Sequence, residues 1–284
     1  MKKQLQNSRF YFICALTSSF IATAIQSVAY LSAYGELGAN YFSSASPLPK
    51  ISVILALIAC ACGIGSFLTW KKFSAVFRDP RNDFASLPSA VGFLAGAILM
   101  ALSNDTKLTY TIVFFFVLAF GYHLCLTFGW IKDAYANALL GFPTVIGSIL
   151  LCGYYYFDAT LEMNAPVKVS ILSGLLFAMM YYTGELRILI GASVPRVHLF
   201  FNVCTLGIGS LASLPLVLAY LLGKFDRLFH VKTNRFMVAH FTHPEYLVGS
   251  VVLLGICISI TWRLIRAIKN APATQTLTDS EEKA

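Results

Sequence analysis

Hydrophobic residues fill 57% of the 284 positions and charged residues only 12%, which leaves too little polar surface to cover a water-soluble fold. Lys and Arg number 21 against 13 Asp and Glu, yet they sit in short runs between apolar segments rather than on one basic face. That pattern argues against nucleic-acid binding and fits topology signals and contact with anionic headgroups. At about 20 apolar residues per crossing, the chain reads as an all-α polytopic bundle of about eight spanning helices, with no segment left for a soluble catalytic domain.

Lys2, Lys3 and Arg9 precede the first apolar run, 10–31, which is long for a cleaved leader and reads as an uncleaved span. The second, 51–70, ends at an interfacial Trp70 and Lys71. The third, 86–102, opens on Pro88, tolerated in a first helical turn because its missing donor has no partner there anyway. A brief polar turn leads to the fourth, 108–131, so spans three and four form an antiparallel hairpin. The fifth is 137–157, with Pro143 bending its start; the sixth is 167–190; the seventh, 197–222, carries Pro215. The eighth, 243–264, starts on a capping box of Thr242 and Glu245 with Pro244 in the first turn. Residues 1–270 form one transmembrane domain, and 271–284 lack apolar periodicity and read as a disordered tail.

Placing the amino terminus inside puts 14 basic residues in cytoplasmic segments and 7 opposite, so both ends are expected in the cytoplasm. The expected location is the plasma membrane, with the lipid bilayer as the obligatory partner. The segment 223–241 mixes Lys224, Arg227, Lys232 and Arg235 with aromatic residues, as either a surface-lying amphipathic helix or a solvated loop.

Cys14, Cys60, Cys62, Cys125, Cys152, Cys204 and Cys257 all fall in apolar runs, where a thiol packs as a small hydrophobe. Gly92 with Gly96, and Gly209 with Ser213, have the four-residue spacing that lets helix backbones approach.

An ionisable group inside a span is costly, so each invites a functional reading. Glu185 and Arg187, near the cytoplasmic end of the sixth span, are two apart and point about 200° from each other. Each therefore needs its own partner. In one reading Arg187 snorkels to headgroups while Glu185 caps a helix or pairs with Arg196. In the other, Glu185, Arg187, His198 and Asn202 line a polar binding cluster near the inner leaflet, with Tyr181 and Tyr182 beside it. His123 and Gln26 read as hydrogen-bonded core residues linking helices. His230, His240 and His243 are too few and too loosely held for a metal site. Neither a catalytic constellation nor a cofactor motif is visible, and no metal or cofactor is expected.

The run Phe157–Asp158 through Met163–Lys168, followed by Gly184, Glu185, Leu186, Arg187, Ile188, Leu189, Ile190 and Gly191, resembles uncharacterised eight-span membrane proteins of anaerobic bacteria. In that family an acidic residue and an arginine two apart close the sixth span. The resemblance covers spans five to seven and implies a membrane architecture without an assigned activity.

These features fit a membrane sensor, regulator or partner subunit. A permease for a small solute is the alternative, which helices broken at Pro143 or Pro215 would favour.

Overall fold

The computed structural model describes residues 2–32, 47–69, 83–103, 106–157, 166–192, 195–222 and 244–270. They form helices α1 (Lys2–Ser32), α2 (Leu48–Thr69), α3 (Leu87–Ala101), α4 (Lys107–Phe128), α5 (Ala134–Phe157), α6 (Pro166–Leu189), α7 (Pro195–Ala212), α8 (Leu214–Leu221) and α9 (Glu245–Asn270). Eight stretches are long and apolar enough to cross a membrane, the seventh being α7 and α8 together over Arg196–Leu221.

Lipid, rather than a second protein layer, accounts for the outer surface. Phe20, Leu57, Leu68, Leu139 and Phe157 are exposed on three different helices, far more apolar surface than a soluble monomer leaves uncovered. The chain is a multi-pass integral membrane protein, with its backbone satisfied inside helices as hydrocarbon demands.

α7 and α9 occupy the centre: α7 packs on α1, α2 and α6, and α9 on α3, α6, α7 and α8. α4 and α5 close the periphery between α3 and α6. Phe93, Phe116, Leu175, Val203, Val252 and Ile256 meet in the core that these helices share. Ser52 Oγ donates to Gln26 Oε1, tying α2 to α1. At the end of the bundle where α9 starts, the buried Tyr155 hydroxyl donates to the Glu245 carbonyl at 2.7 Å and accepts from the Gly249 N–H at 2.9 Å, fixing α5 against α9.

Several helix ends differ from the periodicity reading. α4 stops at Phe128 instead of running to 131, because Gly129 adopts a left-handed φ of 62° and its N–H bonds the Cys125 carbonyl. The apolar pair Trp130 and Ile131 had masked that stop. α5 begins at Ala134, earlier than 137, since the Asp133 carboxylate accepts from the Ala136 N–H at 2.7 Å. Pro143 sits inside α5 without ending it, whereas the seventh span breaks at Ser213 just before Pro215. α9 starts at Glu245, two residues later than expected, so Glu245 opens the helix instead of being its third residue. Thr242, segment 223–241, the histidines at 230, 240 and 243, and the tail 271–284 lie outside the described residues.

Candidate functional site

A short 3-10 turn, Phe84–Ser86, leads into α3 with Pro88 near its start. Asp83 precedes it, and its Oδ1 accepts from the Ala85 N–H at 3.1 Å, as expected of a short acidic side chain before a helix. The Asp83 N–H donates to the Leu126 carbonyl of α4 at 3.3 Å, which holds the start of α3 against the end of α4. Asp83 thus sits at the end of the bundle where α4, α6 and α9 finish.

Arg263 of α9 reaches into that corner and engages α6 and the turn before α3. Its Nε donates to Asp83 Oδ2 at 2.9 Å, its Nη2 to Ser86 Oγ at 2.7 Å and its Nη1 to the Tyr181 hydroxyl. Nη1 also stands 2.8 Å from Glu185 Oε1, a charge contact without the alignment of a hydrogen bond. Arg266, one turn further along α9, donates to Asp83 Oδ1 at 2.6 Å from a more exposed position. A planar guanidinium with five donors can serve several acceptors at once, which an ammonium cannot. Arg263 therefore binds α3, α6 and α9 into one unit.

Asp83 lies just outside the third span. Burial favours its neutral form, but the Arg263 guanidinium, the Ala85 N–H and Arg266 outweigh burial and hold its carboxyl below the usual range. A depressed carboxylate contributes stability that is present above the unfolded value near 3.9 and is lost as the pH falls through the folded value. The parent should accordingly lose stability on acidification below about pH 4 more steeply than Asp83→Asn. Thermal-unfolding midpoints in detergent between pH 3 and 7 check this; parallel curves would refute it.

Of the four residues that the sequence groups, Glu185, His198 and Asn202 are buried on inward faces and Arg187 is exposed. His198 stacks on Tyr181, with ring centroids 5.2 Å apart at 22°, and packs against Gly184, where an added Cβ would lie 2.5 Å from its Nδ1. Asn202, one turn along α7, donates to the His198 carbonyl at 3.0 Å.

Arg187 does not join them. Its carbonyl accepts from the Ala192 N–H at 2.9 Å and its Nε donates to the Ala192 carbonyl at 3.3 Å. It closes the turn that ends α6, where Gly191 has a φ of 75°. Nor does Glu185 pair with Arg196, which is exposed at the start of α7; its counter-ion is Arg263. Arg187→Leu should change stability by no more than about 0.5 kcal/mol, as surface substitutions usually do. A loss of several kcal/mol in a denaturant titration would place Arg187 back in the cluster.

His123 is buried but not hydrogen-bonded in the way the sequence suggests. Its ring stacks on Phe93 at 5.5 Å and 10° and contacts Tyr122 and Tyr182. Neither ring nitrogen has a protein partner among the described residues. Asp83, Arg263 and Arg266 were not singled out by the sequence reading, which took the two arginines as topology charges. The available signal was Arg263 itself, an arginine within the final apolar run after Trp262. All seven cysteines are free thiols. Among the described residues no group of three or more His, Cys, Asp or Glu side chains is placed to share a metal ion.

Chemically, the arrangement can hold three helices together by charge and release them if that charge changes. It offers no activated nucleophile. Comparison with protein-family models, with curated proteins and with solved structures finds no match for this chain.

Proposed function

We propose that the protein is a sensor, regulator or partner subunit of the plasma membrane, in which the Asp83–Arg263–Glu185 cluster acts as a latch between α3, α6 and α9. The observation that carries this reading is Arg263, a largely buried arginine whose contacts reach α6 and the turn before α3. Such a residue gives a bundle two discrete arrangements, latched and unlatched, which is what a signalling element requires. With the expected orientation, the latch faces the cytoplasm, where a partner or modifying signal could act on it.

The break in the seventh span at Ser213 favours a second reading, a permease for a small solute. Against this, the break falls eight residues from the end of the span, well away from the charged cluster.

Two measurements separate the readings. The tagged protein is purified in mild detergent from its own membranes, alongside Arg263→Lys, which keeps the charge. A stoichiometric partner retained by the parent and lost from the variant supports the subunit role. Purified protein in proteoliposomes is then challenged with solute gradients, and a solute-evoked current or uptake would overturn the signalling reading in favour of transport.

A further inference from the structure

We infer that Cys60 of α2 and Cys204 of α7 form a redox-active thiol pair, which a lipid-soluble quinone oxidises to a disulfide joining the two helices. The Cys204 thiol donates a hydrogen bond to the Cys60 sulfur. On both sides of that contact the helices approach closely. A Cβ on Gly63 would lie 3.1 Å from Val203 Cγ1, and one on Gly207 would lie 3.2 Å from the Ala56 carbonyl oxygen and 3.5 Å from Cys60 Sγ. Small residues therefore hold α2 against α7 at the level of the two sulfurs, and a short side chain from each helix suffices to bring them together.

A thiol that only fills space in an apolar span needs no sulfur partner. Cys62 shows the difference. Two residues beyond Cys60, it points about 200° away and comes only within electrostatic reach of Cys14 on α1. The Cys60–Cys204 contact lacks only the loss of two hydrogens and a closer approach of the sulfurs to become a bond. Because α2 packs on α1 and α7, that bond would fix the α1–α2 pair to the central helix.

The surroundings name the class of oxidant. Both sulfurs belong to residues at least eight positions from either end of their spans, about 12 Å along a helix, where water-soluble disulfides and peroxides are scarce. Leu57 and Ile64, three residues before Cys60 and four after it, are 58% and 50% exposed. They share a helix face with Cys60, so the half-buried thiol borders the lipid-facing surface. A quinone dissolved in the bilayer can reach it there. As the S–S bond forms, two S–H bonds break, and the quinone takes both electrons and both protons, its two carbonyl oxygens becoming the hydroxyls of a quinol. Thiols and disulfide are all neutral, so the step leaves no charge in hydrocarbon. Cys204 points about 200° from Asn202 on α7, so the pair stands apart from the latch and does not depend on that reading.

The test uses the purified full chain in proteoliposomes without oxygen, treated with a fully ring-substituted benzoquinone, which can oxidise thiols but has no open ring position to alkylate them. Titratable thiols should fall by two, from seven to five, with one quinol formed per chain. Mass spectrometry of the unreduced digest should show the Cys60 and Cys204 peptides joined. Cys62→Ala should behave as the parent does, whereas Cys60→Ala and Cys204→Ala should lose no thiols and form no quinol. Oxidised glutathione, confined to water, should act roughly tenfold more slowly, since thiol exchange depends on access. Seven thiols surviving in the parent, a link between Cys14 and Cys62 instead, or equal thiol loss in Cys204→Ala would overturn the pair. Glutathione matching the quinone in rate would overturn the assignment of a lipid-borne oxidant.

Discussion

Arg263→Met is expected to cost about 3–5 kcal/mol of stability, the range seen when one member of a buried ion pair is removed and its partner stays charged. The substitution preserves much of the side-chain length and packing, so the loss reports charge rather than a cavity. It strands Glu185, whose only ion contact among the described residues is Arg263, and leaves Asp83 with the half-exposed Arg266. Asp83 is therefore the less damaged of the two. Adding Glu185→Gln to Arg263→Met should recover most of the loss, whereas adding Asp83→Asn should recover less. Arg263→Lys should fall between parent and Met, because an ammonium cannot span Asp83, Ser86, Tyr181 and Glu185 together. Denaturant titration in mixed micelles measures all four variants. A loss under about 1 kcal/mol for Arg263→Met, with no rescue by Glu185→Gln, would mean that water or headgroups already solvate the carboxylates and that no latch exists.

The membrane architecture was legible because hydrocarbon imposes a length on every crossing, and the apolar runs at 10–31 and 167–190 carry that length plainly. What apolar runs do not encode is a local stop. α4 ends where Gly129 turns left-handed, although Trp130 and Ile131 continue the apolar pattern. The candidate site was half legible. Spacing alone showed that Glu185 and Arg187 diverge and need separate partners. It could not reveal that Glu185 faces a residue 78 positions later in the chain, Arg263, while Arg187 turns back on its own helix end. Pairings between distant spans depend on which helices become neighbours, and periodicity within one helix is silent on that. Asp83 was hidden for a related reason: a lone acid before a helix reads as a cap, and it caps the Ala85 N–H as well as binding two arginines.

The glycine pattern sets the distance across which the latch must reach. Gly92 and Gly96 were read as one close-packing face, but they meet different surroundings. A Cβ on Gly96 would press on the Val252 and Phe116 side chains, which can adjust, whereas one on Gly92 would lie 3.2 Å from the Gly255 Cα and the Val251 carbonyl oxygen. From the other side, a Cβ on Gly255 would fall 3.0 Å from the Gly92 Cα and well inside contact distance of the Pro88 carbonyl oxygen. Backbone cannot rotate away, so Gly255→Ala must push α3 from α9. Overpacking of this kind costs about 1–3 kcal/mol. Arg263 lies eight residues further along α9, about 12 Å at the rise of an α-helix, and its partners Asp83 and Ser86 precede Pro88. The same displacement should therefore lengthen the 2.9 Å Arg263–Asp83 contact. Gly255→Ala and Arg263→Met combined should then be less than additive, since the first has already weakened what the second removes. Gly121→Ala supplies the control: nothing lies within 4 Å of its Cβ, and the better helix propensity of alanine should leave it neutral or up to about 1 kcal/mol more stable. If Gly255→Ala proves as stable as Gly121→Ala in the same titration, α3 and α9 are not in backbone contact and the close approach that brings Asp83 to Arg263 is wrong.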